Sequence, residues 1–146
     1  MSDSAADNTP LTNKLAQTTP TSPPTAASLR LEVFVLDLDT FLDFYTRVLG
    51  FTVSVDRRAD ATPYLAVSRE NIRIGASRPW APVNPESRTV PNGVEIVLEV
   101  NDLDADYRRV IDSGWPLAHD KQRRSWGLTD FRLHDPDGYY IRVTNR

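Results

Sequence analysis

The chain has 146 residues, 40% of them hydrophobic and 25% charged, with a formal net charge of −3 and no cysteine. That apolar content is enough for one packed domain or two half-domains, while the mildly acidic balance argues against a nucleic-acid groove, which is usually basic. Disulfides, thiolate nucleophiles and thiolate metal sites are excluded, and no apolar run reaches transmembrane length.

Residues 1–28 are rich in Thr, Pro, Ala and Ser and poor in large apolar side chains. They offer too little to bury against the entropy of ordering, so a disordered tail is expected. The basic start and apolar stretch of a secretory signal are missing, and Asp3 and Asp7 disfavour an organelle-targeting leader. A cytoplasmic protein is the expectation.

From Leu29 to Leu36 the side chains alternate, with Leu31, Val33 and Val35 on one face and Arg30, Glu32, Phe34 and Leu36 on the other. This predicts a strand whose two faces see different environments. Residues 37–50 carry a helical stripe of Phe41, Leu42, Phe44, Tyr45, Val48 and Leu49, with Asp37, Asp39 or Thr40 to cap it and Gly50 to end it. Strands are expected at about 52–55, 64–67 and 71–76. Pro79, Pro82, Pro85 and Pro91 mark a linker.

The plan then repeats. The Asp-Leu-Asp unit at 37–39 recurs at 102–104, 65 residues on, and the glycine closing the helix recurs as Gly114. A strand over 94–100 is followed by a helix from about 104 to 113 and strands near 116–119, 129–133 and 139–144. Asp135-Pro136-Asp137-Gly138 forms the tight turn between the last two. A duplicated strand–helix–strands unit thus accounts for most of the chain.

This layout, with Asp37-Leu38-Asp39, Phe44-Tyr45 and Leu49-Gly50-Phe51 in one half and Trp126-Gly127, Phe131 and Asp135-Pro136-Asp137-Gly138 in the other, resembles the vicinal oxygen chelate superfamily. That group includes glyoxalase I, extradiol dioxygenases, and fosfomycin- and bleomycin-resistance proteins; the pattern is nearest to the bleomycin-resistance-like branch. The resemblance implies an α+β fold of paired βαβββ modules forming a curled mixed sheet with a cleft, often completed by a second subunit. Module one would cover 29–76, the linker 77–92 and module two 93–146.

The family's enzymes hold a divalent metal through residues from four strands. The corresponding positions here are Arg30, Arg73, Glu95 and Arg142, with Arg73 aligned to within a residue. Arginine has no lone pair to donate, so metal-dependent chemistry is not expected, nor is any cofactor.

Strand parity assigns Arg30, Glu32, Phe34, Arg73, Glu95, Val97, Glu99, Tyr140, Arg142 and Thr144 to the cleft. Their charges either neutralise one another as a salt-bridged floor or present arginines to a carboxylate or phosphate of a ligand. Trp126, on a loop at the cleft mouth, either stacks on a flat ligand or lids the sheet edge. His134 reads as a surface strand-end residue; His119 could reach the cleft but lacks an evident partner.

The leading expectation is a metal-independent small-molecule binding protein that sequesters an aromatic or anionic ligand, as in antibiotic resistance, and works as a homodimer. No nucleic-acid or membrane partner is expected. The rival reading is a lyase, isomerase or dioxygenase of the same superfamily with an atypical or metal-free site, using Glu95 or Glu99 as base. A chaperone-like or regulatory protein of a biosynthetic pathway is a third.

Overall fold

A computed structural model describes residues 27–146; the segment expected to form a disordered tail lies, up to residue 26, outside the described residues. The fold is α+β, built of two βαβββ modules, each with its own four-stranded mixed sheet. Module one contains β1 (Leu31–Phe34), α1 (Leu38–Asp43), β2 (Thr52–Arg57), β3 (Tyr64–Arg69) and β4 (Ile72–Ser77), in the order β1-β4-β3-β2. Module two repeats this with β5 (Ile96–Val100), α2 (Leu103–Ser113), β6 (His119–Arg123), β7 (Thr129–His134) and β8 (Tyr140–Asn145), in the order β5-β8-β7-β6. In each sheet the first strand pairs parallel with the fourth, and the other pairings are antiparallel.

The first helix starts on Asp37, one of the three caps expected, and the second at Leu103, one residue before the expected start, capped by Asp102. Asp37 accepts the amide hydrogen of Thr40 at 2.7 Å, and Asp102 that of Ala105 at 2.9 Å. The second helix ends on Gly114 in the left-handed region, φ 75°. The first does not run as one α-helix to Gly50: from Phe44 to Val48 it widens into a π-turn. There the Thr46 hydroxyl donates to the Leu42 carbonyl at 2.7 Å and competes for the oxygen that an α-helical amide would take.

The alternation of β1 falls as expected, with Val33 and Val35 buried and Glu32 and Phe34 exposed. The strand expected near 116–119 forms later, at His119–Arg123. That edge strand has the sequence His-Asp-Lys-Gln-Arg, is almost wholly exposed and carries no apolar alternation to betray it.

The helices and the inner sheet faces share one hydrophobic cluster drawn from both modules, including Phe41, Phe44, Tyr45 and Phe51 from the first and Phe131, Leu133, Ile141 and Val143 from the second. Each large side chain so buried contributes roughly 1.5–3 kcal/mol. Phe44 meets Trp115 across the module boundary, ring centroids 4.8 Å apart.

Polar ties follow the same boundary. Arg69 of β3 grips Asp106 of α2 with two hydrogen bonds, 2.6 and 2.8 Å, and the buried Tyr45 hydroxyl donates to Asp135 at 3.2 Å. The Leu36 amide donates to Asp137 at 2.9 Å, and linker Arg88 bonds both Asp137 and the Phe34 carbonyl. Among the described residues no helix is long and apolar enough to cross a membrane.

Candidate functional site

With the helices on one side of each sheet, the opposite faces stay open. Strand register sorts their side chains into rows. On sheet one, Glu32 stands beside Gly75 and Ala66, and Phe34 beside Ser77 and Tyr64. One step past the end of β1, Arg30 continues toward Arg73 and Ser68. On sheet two, Val97, Arg142, Arg132 and His119 form one row, and Glu99, Thr144, Asp130 and Gln122 the next. Glu95, one residue before β5, continues the pairing of Tyr140 with His134.

These rows become two separate charge clusters. On sheet one Glu32 is paired with Arg30 and accepts a hydrogen bond from the Tyr64 hydroxyl at 3.0 Å. Burial, then the neighbouring Glu32 carboxylate, raises the Tyr64 hydroxyl above the ordinary tyrosine range. The pair lies across Gly75, where a Cβ would collide with both the hydroxyl and the carboxylate. Glycine here supplies the space in which the two side chains meet.

On sheet two Glu95 is flanked by Arg142, Nε to Oε2 3.4 Å, and Arg132, Nη1 to Oε1 3.7 Å. Neither contact is a well-formed hydrogen bond, and the Nε atoms of both arginines are buried without a hydrogen-bond partner. Arg132 also donates to the Tyr140 hydroxyl at 3.3 Å, which raises its own affinity for the proton. Beneath the β6–β7 loop, Arg124 holds the fully buried Asp130 at 2.9 and 2.6 Å. Trp126 sits at the tip of that loop, 57% exposed.

Of the residues expected in the cleft, Arg30 meets Glu32, and Glu95 meets Arg142. The first pair shares nothing with the second. Phe34, Val97 and Glu99 are exposed on the open faces, whereas Thr144 is buried, its hydroxyl donating to the Thr129 carbonyl at 3.1 Å. Arg73 and Glu95 both line a slot of about 330 Å³ between the open edges of β1 and β5, with Leu31, Ile72, Ile74 and Ile96 as its apolar walls.

Sequence reasoning missed Tyr64, Arg124, Asp130 and Arg132. Parity along Thr129–His134 would have found Asp130 and Arg132, which alternate with the buried Phe131 and Leu133.

The register also refines the metal positions. Val97 stands opposite Arg142, and the equivalent residue Glu32 stands opposite Gly75, so Gly75 takes the place that sequence alignment gives to Arg73. The set Arg30, Gly75, Glu95 and Arg142 contains one possible ligand and does not fit a divalent metal. Among the described residues no three histidine, aspartate or glutamate side chains gather as a metal site.

Solved structures with the same architecture include TioX from Micromonospora sp. ML1, at TM-score 0.67 and 20% identity, with 82% of this chain and 98% of that one covered. The bleomycin resistance determinant encoded on transposon Tn5 aligns at TM-score 0.65 and 22% identity, over 83% and 98% of the two chains. A superfamily member from Sphaerobacter thermophilus DSM 20745 aligns at TM-score 0.63 and 21% identity, over 83% and 98%. At these identities the likeness establishes the fold alone. No curated protein sequence matches the chain. The family signature itself extends from residue 27 to residue 143, across both modules and the linker, and places the chain in the Glyoxalase/Bleomycin resistance protein/Dioxygenase superfamily.

Proposed function

We propose that the protein is a metal-independent small-molecule binding protein, bleomycin-resistance-like in mode, which sequesters an aromatic or anionic ligand on its open sheet faces. The observation that carries this reading is the pair Arg132 and Arg142: two guanidinium groups side by side, neither Nε in a well-formed hydrogen bond, whose one shared carboxylate, Glu95, stands at 3.4 and 3.7 Å, with Asp130 3.5 Å from the Arg132 Nε. The Nε atoms are buried, so a ligand oxygen would be held by the solvent-reachable part of the two side chains, 19% and 22% exposed, through charge-assisted hydrogen bonds. Val97, in the row of Arg142 and Arg132, leaves apolar surface exposed beside the charges, and Phe34 on sheet one and Trp126 on the β6–β7 loop add exposed apolar surface elsewhere. The two open faces belong to separate sheets, and a homodimer would set one against another to close the cleft.

Calorimetric titration of benzoate, inorganic phosphate and 2-naphthoate tests the reading. At least one should bind, and Arg142→Ala should weaken it by about 1.5–3 kcal/mol, the range for a hydrogen bond to a charged group. A wild type indifferent to all three, beside an Arg142→Ala variant that only loses stability, leaves these arginines a structural role and overturns the proposal. Light scattering should give twice the chain mass, and elemental analysis should find no stoichiometric metal.

A further inference from the structure

The two histidines of this chain, at 119 and 134, are unrelated in sequence, yet both stand against one side chain, Tyr140. The His134 ring lies 5.1 Å from the Tyr140 ring and the His119 ring 6.5 Å from it, while the Arg132 guanidinium sits 5.9 Å from the same centroid. The two histidines and Tyr140, with Trp115, Asp135 and Pro136, line a cavity of about 590 Å³ at the end of sheet two. That volume lies within the ordinary range for small-molecule sites, roughly 300–1,000 Å³. Trp115, His119, His134 and Tyr140 supply flat ring faces to its walls, and Asp135 is the acidic residue among them.

The cavity adjoins the arginine row. His119 stands in register with Arg132, and Arg132 with Arg142. Two strand spacings therefore separate His119 from Arg142, roughly 10 Å. This is about the length of a two-ring aromatic acid. We infer that the cavity bounded by His119, His134 and Tyr140 is the ring subsite for an aryl carboxylate whose anionic group lies on Arg132 and Arg142. The inference rests on the anion-binding reading above and adds to it the location of the ring and the two residues that select for aromaticity.

The chemistry favours an aromatic over an aliphatic acid. His134 and Tyr140, their rings 5.1 Å apart and tilted 42°, pack on each other and together give the cavity an aromatic wall against which a planar group makes offset or edge-to-face contact. An alkyl chain gains only the burial of its surface there. Two imidazoles also offer a donor and an acceptor each, so a ring bearing a hydroxyl or ring nitrogen finds a partner on either side.

With two histidines, proton NMR of the full chain reads two imidazole Cε1–H signals, and their response to titrated probes decides the matter. 2-Naphthoate should move both signals upfield through its ring current, saturating at the concentration at which calorimetry saturates. Cyclohexanecarboxylate, of equal charge and no ring current, should bind at least tenfold more weakly and move neither signal upfield. Tyr140→Leu should weaken 2-naphthoate at least fivefold. If 2-naphthoate binds, and loses affinity in Arg142→Ala, but leaves both histidine signals in place, the ring lies elsewhere: this inference fails and the anion-binding reading stands. Equal affinity for the saturated acid also overturns it. If neither acid binds the wild type this inference fails, and the anion-binding reading falls with it only when benzoate and inorganic phosphate also fail to bind.

Discussion

Asp135 should make the protein more stable in mild acid than at neutrality. Its carboxyl is 4% exposed, and burial, reinforced by the nearby Asp137 carboxylate, raises its pKa from 3.8 to about 6. The amides of Tyr139 and Asp137 and the Tyr45 hydroxyl, all donating to it, limit the rise. A carboxyl whose folded pKa exceeds its unfolded value binds its proton more tightly in the native state. Stability is then greatest below about pH 4 and falls as pH rises through about 6. A difference of about two pH units corresponds to about 3 kcal/mol between these limits.

Carboxylates whose pKa values are held low, Asp37, Asp43, Asp56, Asp104 and Asp120, act in the opposite sense but only below about pH 4, so the two windows separate. Asp135→Asn keeps an oxygen for the two amides, and the Tyr45 hydroxyl can turn to accept from the new side-chain amide. Urea unfolding at pH 4.5, 5.5, 6.5 and 7.5 should show the wild-type decline, and Asp135→Asn should flatten it and exceed the wild type at pH 7.5 by about 1–2 kcal/mol. A wild type as stable at pH 7.5 as at 4.5, or a variant with an unchanged slope, would refute the reasoning.

Other outcomes follow from packing. Gly75→Ala should cost about 1–3 kcal/mol by forcing Tyr64 and Glu32 apart, and adding Tyr64→Phe should recover part of that, visible as non-additive melting temperatures. Phe44→Ala, at a site fully buried between Tyr45 and Trp115, should cost about 3–5 kcal/mol in urea. Asp106→Ala strands Arg69 and Arg109; because both arginines reach solvent, the loss should be about 2–3 kcal/mol, below that for a fully buried pair, and a loss under about 1 kcal/mol would show the clamp to be idle. A chelator should leave the melting temperature where it was, since the residues at the superfamily's metal positions cannot coordinate one.

The modules were legible because their signals are periodic and duplicated. The helix cap at Asp37 and the turn at Asp135–Gly138 fell where side-chain chemistry demanded them. The π-turn was not legible, because its apolar spacing satisfies an ordinary helix and the perturbing group is one threonine hydroxyl. Nor was β6, whose polar residues pair through backbone alone. At the site, alternation assigns Arg30, Glu32, Glu95 and Arg142 to one side of their strands, but composition cannot say which charges meet. Glu95 could have crossed to Arg30 or Arg73; only the register and the placing of the two sheets settle that it turns to Arg132 and Arg142.

The polar ties between the modules lie on the helix side, the turn or the linker, among them Arg69 with Asp106, Arg47 with the Ser113 carbonyl, Tyr45 with Asp135, Tyr139 with the Phe34 carbonyl, and Leu36 and Arg88 with Asp137. The ion pairs of the open faces stay within their own sheets. Among the described residues, the arginine pair of the open face and the inter-module ties are therefore carried by different side chains, while Trp115 and Asp135, which line the ring cavity, also reach across to Phe44 and Tyr45. Substitutions that retune the faces for a new ligand can accumulate without loosening one half from the other. The scaffold is in this sense evolvable: its specificity can drift while its assembly is held constant.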